Sequence, residues 1–515
     1  MKKLLLYNLG IFLSISLLYI SCNKKDMDLT APLISEASFF TTEAEFRMGI
    51  IGAYASLTDY FSSASVGGAN NSTQTKLFVL TGDDLTNDQP GNTFEYFSGL
   101  TPGNGDVSNF FRSSYVFLNR VNKVLVNIRT APSGVFVTPN LKNNNEGEML
   151  FLRAYGHYML WNIFGKYAPI DTLNVSSLDQ LNPPSSTNTQ LLDIAIGDLT
   201  LAASLLPASW VDADKGRVTA NSAYGLLGKC LVFRASVLKK NEDYQAAIAA
   251  FNKIVGVSLV NNYEDNFNFE TENNSESLFE FQAGAPLRGS GSTNILLAND
   301  AADIGVASAF YGSFGWWDTP NSWTNFIGGG FWAPTEKLKN AFESGDPRRA
   351  ATFKDLGWSQ WMDKYVRKNK IDATGASVNN NRILRYADVL LLQAEATIQS
   401  GGSTSEAVML INKVRERARK MVAGGTLPAA LDESTTNRTT IMQWVMDERL
   451  RELAAEGQRW FDLRRWSMGG TITLNNAFFS STNVAEMKFE AKHLYFPIPY
   501  SELDKNKNIT PTPGY

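Results

Sequence analysis

Apolar positions along most of this chain recur three and four residues apart, the pattern of helices with one buried face. Thr42-Glu43-Ala44-Glu45 reads as a helix start with Thr42 as N-cap, and Phe46, Ile50, Ala53 and Leu57 continue along one face. Further helical blocks run from Phe110 to Ile128, Glu146 to Phe164 and Thr189 to Leu206. The stretch Thr219 to Val255 predicts two helices. Tyr224, Leu227, Gly228 and Leu231 are spaced as in the first helix of a tetratricopeptide repeat, and Ala247, Phe251 and Ile254 suit its second. A similar pair spans Tyr386 to Ala418, with Ala387, Leu390, Leu391 and Ala394 followed by Ala407, Ile411 and Val414. Both units depart from the 34-residue consensus because the first helix is long. The expected fold is mainly α: tetratricopeptide-like helix pairs that bury a shared seam and form a scaffold.

Two stretches break this periodicity. About 62–106 is rich in Gly, Asn, Ser and Thr and predicts loop. About 261–384 combines Gly, Ser and Asn with a dense set of aromatics. Long loops inside a compact protein are functional or disordered, and abundant Trp and Phe argue against disorder. The second stretch is therefore expected to be a long irregular, loop-rich ligand-binding region carried on the helical scaffold.

The N-terminus follows another logic. Met1-Lys2-Lys3 precedes an apolar run from Leu4 to Ile20, and Ser21-Cys22 follows. A basic start, an apolar core and a small residue at the cut form an export signal. The run is shorter than the roughly 20 residues of a spanning helix. Cys22 sits as in the lipobox of bacterial lipoproteins, so residues 1–21 are expected to be removed and Cys22 to carry lipid such as palmitate. Several acyl chains together hold a protein to a bilayer durably.

Charge and composition narrow the chemistry. Lys plus Arg number 47 against 51 Asp plus Glu, and a net charge of -4 gives no electrostatic case for nucleic acid. With Cys22 lipidated, Cys230 has no partner for a disulfide within the chain, and its helical stripe predicts a buried, inert thiol. His157 and His493 are the two histidines. They are far apart, without metal-type spacing, so they argue against zinc chemistry and a nucleophilic triad and read as structural. Glu448, Glu452 and Glu456 are four apart, on one predicted helix face, with Arg449, Arg451 and Arg459 beside them. They read as an ion-pair network rather than as the carboxylate pair of a glycoside hydrolase.

Motifs then recur in a fixed order. Asp83-Asp84, Phe151-Leu152-Arg153-Ala154-Tyr155 and Phe164-Gly165-Lys166-Tyr167-Ala168-Pro169 lie in the first half. Phe331-Trp332-Ala333-Pro334-Thr335-Glu336-Lys337-Leu338, the Arg385–Ala396 segment, Asp447–Gly457, Arg459–Trp466 and the tail from Tyr495 to Tyr515 fill the second. Together they resemble the SusD/RagB family of nutrient-uptake outer-membrane lipoproteins over nearly the whole mature chain. The resemblance implies a single SusD-like domain at 22–515. Its N-terminal half takes in about 22–255, its variable binding region about 261–384 and its C-terminal half about 331–515. It also implies a place at the outer membrane facing the exterior, a SusC-like TonB-dependent transporter as partner, a glycan or in some branches a peptide as ligand, and neither catalysis, cofactor nor metal.

Sugar rings offer an apolar C–H face and a polar rim, which flat aromatics and amides match. The Phe310–Trp323 segment has both, with Gly312 and Gly315 permitting sharp turns. The expected ligand-binding residues are Trp316, Trp317, Trp323 and Tyr311, with Tyr96 and its neighbour Phe97 contributing from the early loop.

Overall fold

A computed structural model of the chain describes residues 39–57, 60, 76–86, 93–171, 182–282, 333–355, 360–362, 364, 379–479 and 487–515. Its long helices are α1 (Glu43–Ala55), α2 (Gly105–Thr130), α3 (Leu141–Phe164), α4 (Gln190–Leu205), α5 (Ala220–Leu238), α6 (Asn241–Phe251), α7 (Tyr386–Gln399), α8 (Thr404–Lys420), α9 (Arg438–Glu452) and α10 (Arg459–Met468). Each of α2 to α8 packs on the next in this order; α9 closes on α7 and α8, and α10 lies on α5. This is the stacked-pair scaffold that the periodicity predicts.

Local chemistry sets the helix starts. Thr42 caps α1 in a capping box with Glu45, and Thr219 caps α5 in one with Ser222. The α5–α6 pair closes tightly because Gly228 has no side chain: a Cβ there would lie 2.2 Å from the Phe251 ring. Helix α3 is buried on nearly all sides from Asn145 to Phe164, which makes it the centre of the first half. A main apolar core runs from α1 through α6 to α10 and the C-terminal tail. A second gathers Leu390, Leu391, Ile411, Val414, Ile441 and Val445 between α7, α8 and α9. The tail closes the fold as expected: Phe496 and Ile498 are buried, and Phe496 N–H donates to the Ile163 carbonyl at 2.9 Å.

Strands are short and antiparallel. β1 (Leu85–Thr86) pairs with β3 (Ala333–Pro334), β2 (Ser277–Phe281) with β6 (Asn381–Arg385), and β4 (Phe353–Asp355) with β5 (Gln360–Met362).

The expectation of loop across 62–106 is corrected in part. Leu77, Phe78, Val79 and Leu80 are core residues, Lys76–Val79 and Thr93–Tyr96 are short helical turns, and Asp83 and Asp84 are buried. The early part of 261–384 is likewise scaffold. Tyr263 and Phe267 are core residues, and β2 completes a sheet with β6.

Candidate functional site

The insertion that carries the aromatic segment has both its roots on the scaffold. It leaves after β2, where Gln282 and Asn273 exchange side-chain hydrogen bonds of 2.8 and 2.9 Å. It returns through β3, whose partner β1 belongs to the early segment. Thr335 fixes that return: its N–H donates to the Asp84 carbonyl at 3.0 Å and its hydroxyl to the Asp83 carbonyl at 2.7 Å. Thr86, next to this junction, donates its hydroxyl to Glu95 in the turn that ends at Tyr96. The Tyr96 carbonyl accepts from Lys488 N–H at 2.9 Å. Across the junction Lys337 pairs with Asp83 and lies 3.8 Å above the Phe478 ring. The structure thus gathers Tyr96, the return of the insertion and the segment before the tail at one rim.

Of the expected contact residues, Tyr96 is half-buried at this rim. Trp316, Trp317, Trp323 and Tyr311 lie outside the described residues, as does Cys22. Phe97 is corrected. It is 3 % exposed and packs among Trp460, Phe479, Phe489 and His493, so it anchors the rim from beneath and offers no face to a ligand. Its positive φ of 51° turns the side chain inward just after Tyr96.

Beneath the rim lie buried charges in balanced alternation. Arg348 donates to Asp346, Glu448 and Glu452. Arg385 reaches Glu276, Glu452 and Glu456, Arg417 reaches Glu276 and Glu452, and Arg415 reaches Glu448 and Glu343. Lys364 adds Glu456 and the carbonyls of Glu452 and Ala454. A second chain runs Lys229–Asp388–Arg449–Asp462–Arg465–Glu395 and ties α5 to α7, α9 and α10.

This network confirms the ion-pair reading and corrects its partners. Arg449 pairs with Asp388 and Asp462, and Arg459 with Asp83; of the three neighbouring arginines, Arg451 alone meets Glu448. Glu456 is not on the helix face. Helix α9 ends at Glu452, and Ala455 and Gly457 take φ of 62° and 72°. The non-glycine Ala455 is held in that left-handed turn by its N–H, which donates to Asp84 Oδ2 at 3.0 Å. The turn aims Glu456 at Arg385 and Lys364. Arg348 and Arg385 lie 67 to 104 positions from the glutamates they bind on this segment, too far for spacing to reveal. Arg385 stands at the head of one of the ordered motifs, and that position was its signal.

Electrostatics decide what these carboxylates can do. Burial alone would raise Glu448, but Arg348, Arg451 and Arg415 outweigh it and hold it at about 2. Glu452 is likewise held below the carboxylate range by Arg417, Arg385 and Arg348 against burial. Both are fully buried and saturated with donors, so neither has a proton to give nor a free lone pair aimed at a cavity. Asp83 is held at about 2, burial being outweighed by Arg459 and Lys337. Its neighbour Asp84 goes the other way, pushed up to about 6 by burial and by the Asp83 charge, against the Ala455 N–H. Cys230 is buried in α5 and pushed up to about 12 by that burial, an inert thiol as expected. The histidines are structural. His157 Nε2 meets Asp171, and His493 Nδ1 accepts from Glu490 N–H at 2.9 Å while burial pushes the ring down to about 4.

Stacked helix pairs, locked by buried ion pairs and holding both ends of the aromatic insertion, define a class: a helical-repeat scaffold. Comparison with known proteins makes this specific. A model of the SusD family matches residues 335–515. A model described as starch-binding, associating with the outer membrane, matches residues 34–231. SusD-like protein P2 of Formosa agariphila is 26% identical over 538 residues, covering 98% of this chain and 99% of its own length. A SusD superfamily protein of Parabacteroides distasonis superposes with a TM-score of 0.73 at 20% identity, over 92% of this chain and 99% of that one. Surface glycan-binding protein A of Bacteroides thetaiotaomicron, solved in complex with laminarihexaose, superposes with a TM-score of 0.70 at 20% identity, over 92% of this chain and 100% of that one. The chain belongs to the SusD-like family. No described helix is long and apolar enough to cross a membrane.

Proposed function

We propose that this protein is a cell-surface lipoprotein, anchored in the outer membrane through Cys22, that binds extracellular oligosaccharide or polysaccharide and delivers it to a SusC-like TonB-dependent transporter. The observation that carries the reading is the family match at both ends of the chain, among relatives described as starch-binding, laminarin-binding or bound to laminarihexaose. The scaffold supports it: a recognition loop needs rigid roots, and the β1–β3 junction and the Asn273–Gln282 pair supply them. The protein captures and does not cleave. Glu448 and Glu452, the carboxylates that a hydrolase reading would use, serve Arg348, Arg385, Arg415 and Arg417 instead.

Trp316, Trp317, Trp323 and Tyr311 form the recognition surface in this reading, with Tyr96 at its edge. Calorimetry against panels of polysaccharides and peptides tests it. The expected result is glycan binding without release of product. A Trp316→Ala, Trp317→Ala double variant then loses about tenfold or more in affinity, each stacking aromatic contributing about 1–3 kcal/mol. Binding confined to peptides transfers the same surface to peptide capture. Unchanged glycan binding in the double variant removes these residues from the site.

A further inference from the structure

A solvent-open pocket of about 240 Å³ lies where the α4–α5 connection, the exit of α6 and the turn before β2 meet. Its wall includes Trp210, Lys215, Asn221, Asn273 and Ser277. None of these is needed to explain the scaffold's buried charges or the rim at Tyr96.

Trp210 is held rigidly for a half-buried loop residue. Its indole N–H donates to the Val218 carbonyl at 2.8 Å, and the Arg217 guanidinium lies 3.9 Å from the ring centre. Arg217 is itself pinned by Glu148, at 2.8 Å through Nε and again through Nη2, and by Asp214. An aromatic already fixed in place loses little side-chain entropy when a ligand stacks on it.

The amides are fixed but half used. Asn221 donates to and accepts from the Val255 backbone at 2.8 and 3.2 Å. Asn273 does the same with the Gln282 side chain. An amide has two donors and two acceptor sites, so each keeps one of both kinds for a further partner. The Lys215 ammonium and Ser277 hydroxyl add capacity at the rim. Rigid aromatic surface beside half-used amides and a hydroxyl matches a pyranose ring, with its apolar face and its ring of donor–acceptor hydroxyls. The volume is below the roughly 300–1,000 Å³ of sites that enclose larger ligands, so it suits one sugar unit and not an oligomer.

We propose that the Trp210–Asn273 cavity is a second, single-unit carbohydrate subsite that holds a distant stretch of the polymer bound by the main surface. It rests on the glycan-capture reading. Its effect is avidity: a weak second contact on the same chain raises polymer affinity without changing that of a short oligomer at the main surface.

The test uses the full lipoprotein in detergent micelles and calorimetry against starch, laminarin, xylan, mannan and sulfated algal polysaccharides, with the matching hexasaccharides. Two variants are compared with wild type: Trp210→Ala, which removes the platform, and Ser277→Gln, which fills the cavity and spares Trp210. Circular dichroism establishes that both fold. Expected is an unchanged tight hexasaccharide site, loss of a weaker second one, and polymer affinity lower by about tenfold in both variants. Wild-type polymer affinity and stoichiometry in both variants overturn the proposal. So does a Trp210→Ala protein that merely melts earlier, which would make Trp210 a shield for Arg217 and Glu148. A wild-type protein that binds none of the polysaccharides overturns the capture reading and this proposal with it.

Discussion

At the scale of single residues, charge placement governs this molecule. A buried cation without its partners is far more costly than an exposed one. Arg385→Met removes the cation that Glu276, Glu452 and Glu456 share and is expected to destabilise the protein by about 3–5 kcal/mol. Lys420→Met, at an exposed pair with Glu416, is expected to change stability by less than about 0.5 kcal/mol. Urea midpoints of the two variants check the contrast. The paired carboxylates also set the acid limit. Asp83 and Glu448 sit at about 2, below their unfolded values, so their stabilisation is present above those unfolded values and is lost as pH falls through about 2. Asp84 has the opposite sign. Raised to about 6, it favours the folded state fully below 3.8, and that advantage disappears as pH rises through about 6. Asp84→Asn keeps an oxygen for the Ala455 N–H and removes the buried charge. It is expected to stabilise on the order of 2 kcal/mol at pH 8 and little at pH 4. Melting curves at both pH values decide; an equal shift at both would mean that packing, not ionisation, is responsible. Inertness of Cys230 and the structural histidines was legible in the sequence because it follows from type and helical stripe. The partners of Glu452 were not, because Arg348 and Arg385 reach it only through the fold.

At the scale of elements, helices declared themselves and short pieces did not. The three- and four-residue periodicity of α2, α3, α5 and α8 survives into the structure because each packs a continuous face on its neighbour. The turn at Lys76–Val79 is too short to show a period and sits among Gly- and Asn-rich sequence, so only its burial against α10 reveals it as core. The recognition segment itself was legible only as composition, since aromatics on a loop have no period to read. Close helix approach gives a sharper test. Gly228→Ala forces a methyl into the Phe251 ring and is expected to destabilise by about 1–3 kcal/mol. Gly197→Ala, in α4 with open space around it, is expected to stabilise by about 0.5–1 kcal/mol through helix propensity. Thermal melts of the pair distinguish a packing effect from a general response to alanine.

At the scale of the whole molecule, buried ion pairs cross between the two halves. Asp83 in the first half is held by Arg459 and Lys337 in the second, and Lys229 by Asp388. The surface location of the capture reading predicts that external protease digests this protein on intact cells, whereas a periplasmic protein would be spared; immunoblots before and after shaving decide. The start of the described chain adds a further consequence. Glu45 clasps the Thr41 and Thr42 N–H groups at 2.8 and 2.9 Å, and Glu43 accepts from Val137 and Thr138 at 2.7 Å. Through Glu43 the start of α1 is therefore fastened to the body at this corner. Only 17 positions separate Cys22 from Phe39, so an anchor at Cys22, as the capture reading has it, holds this corner within about 60 Å. Under that reading the same distance bounds how far the body can stand from the bilayer that holds its lipid.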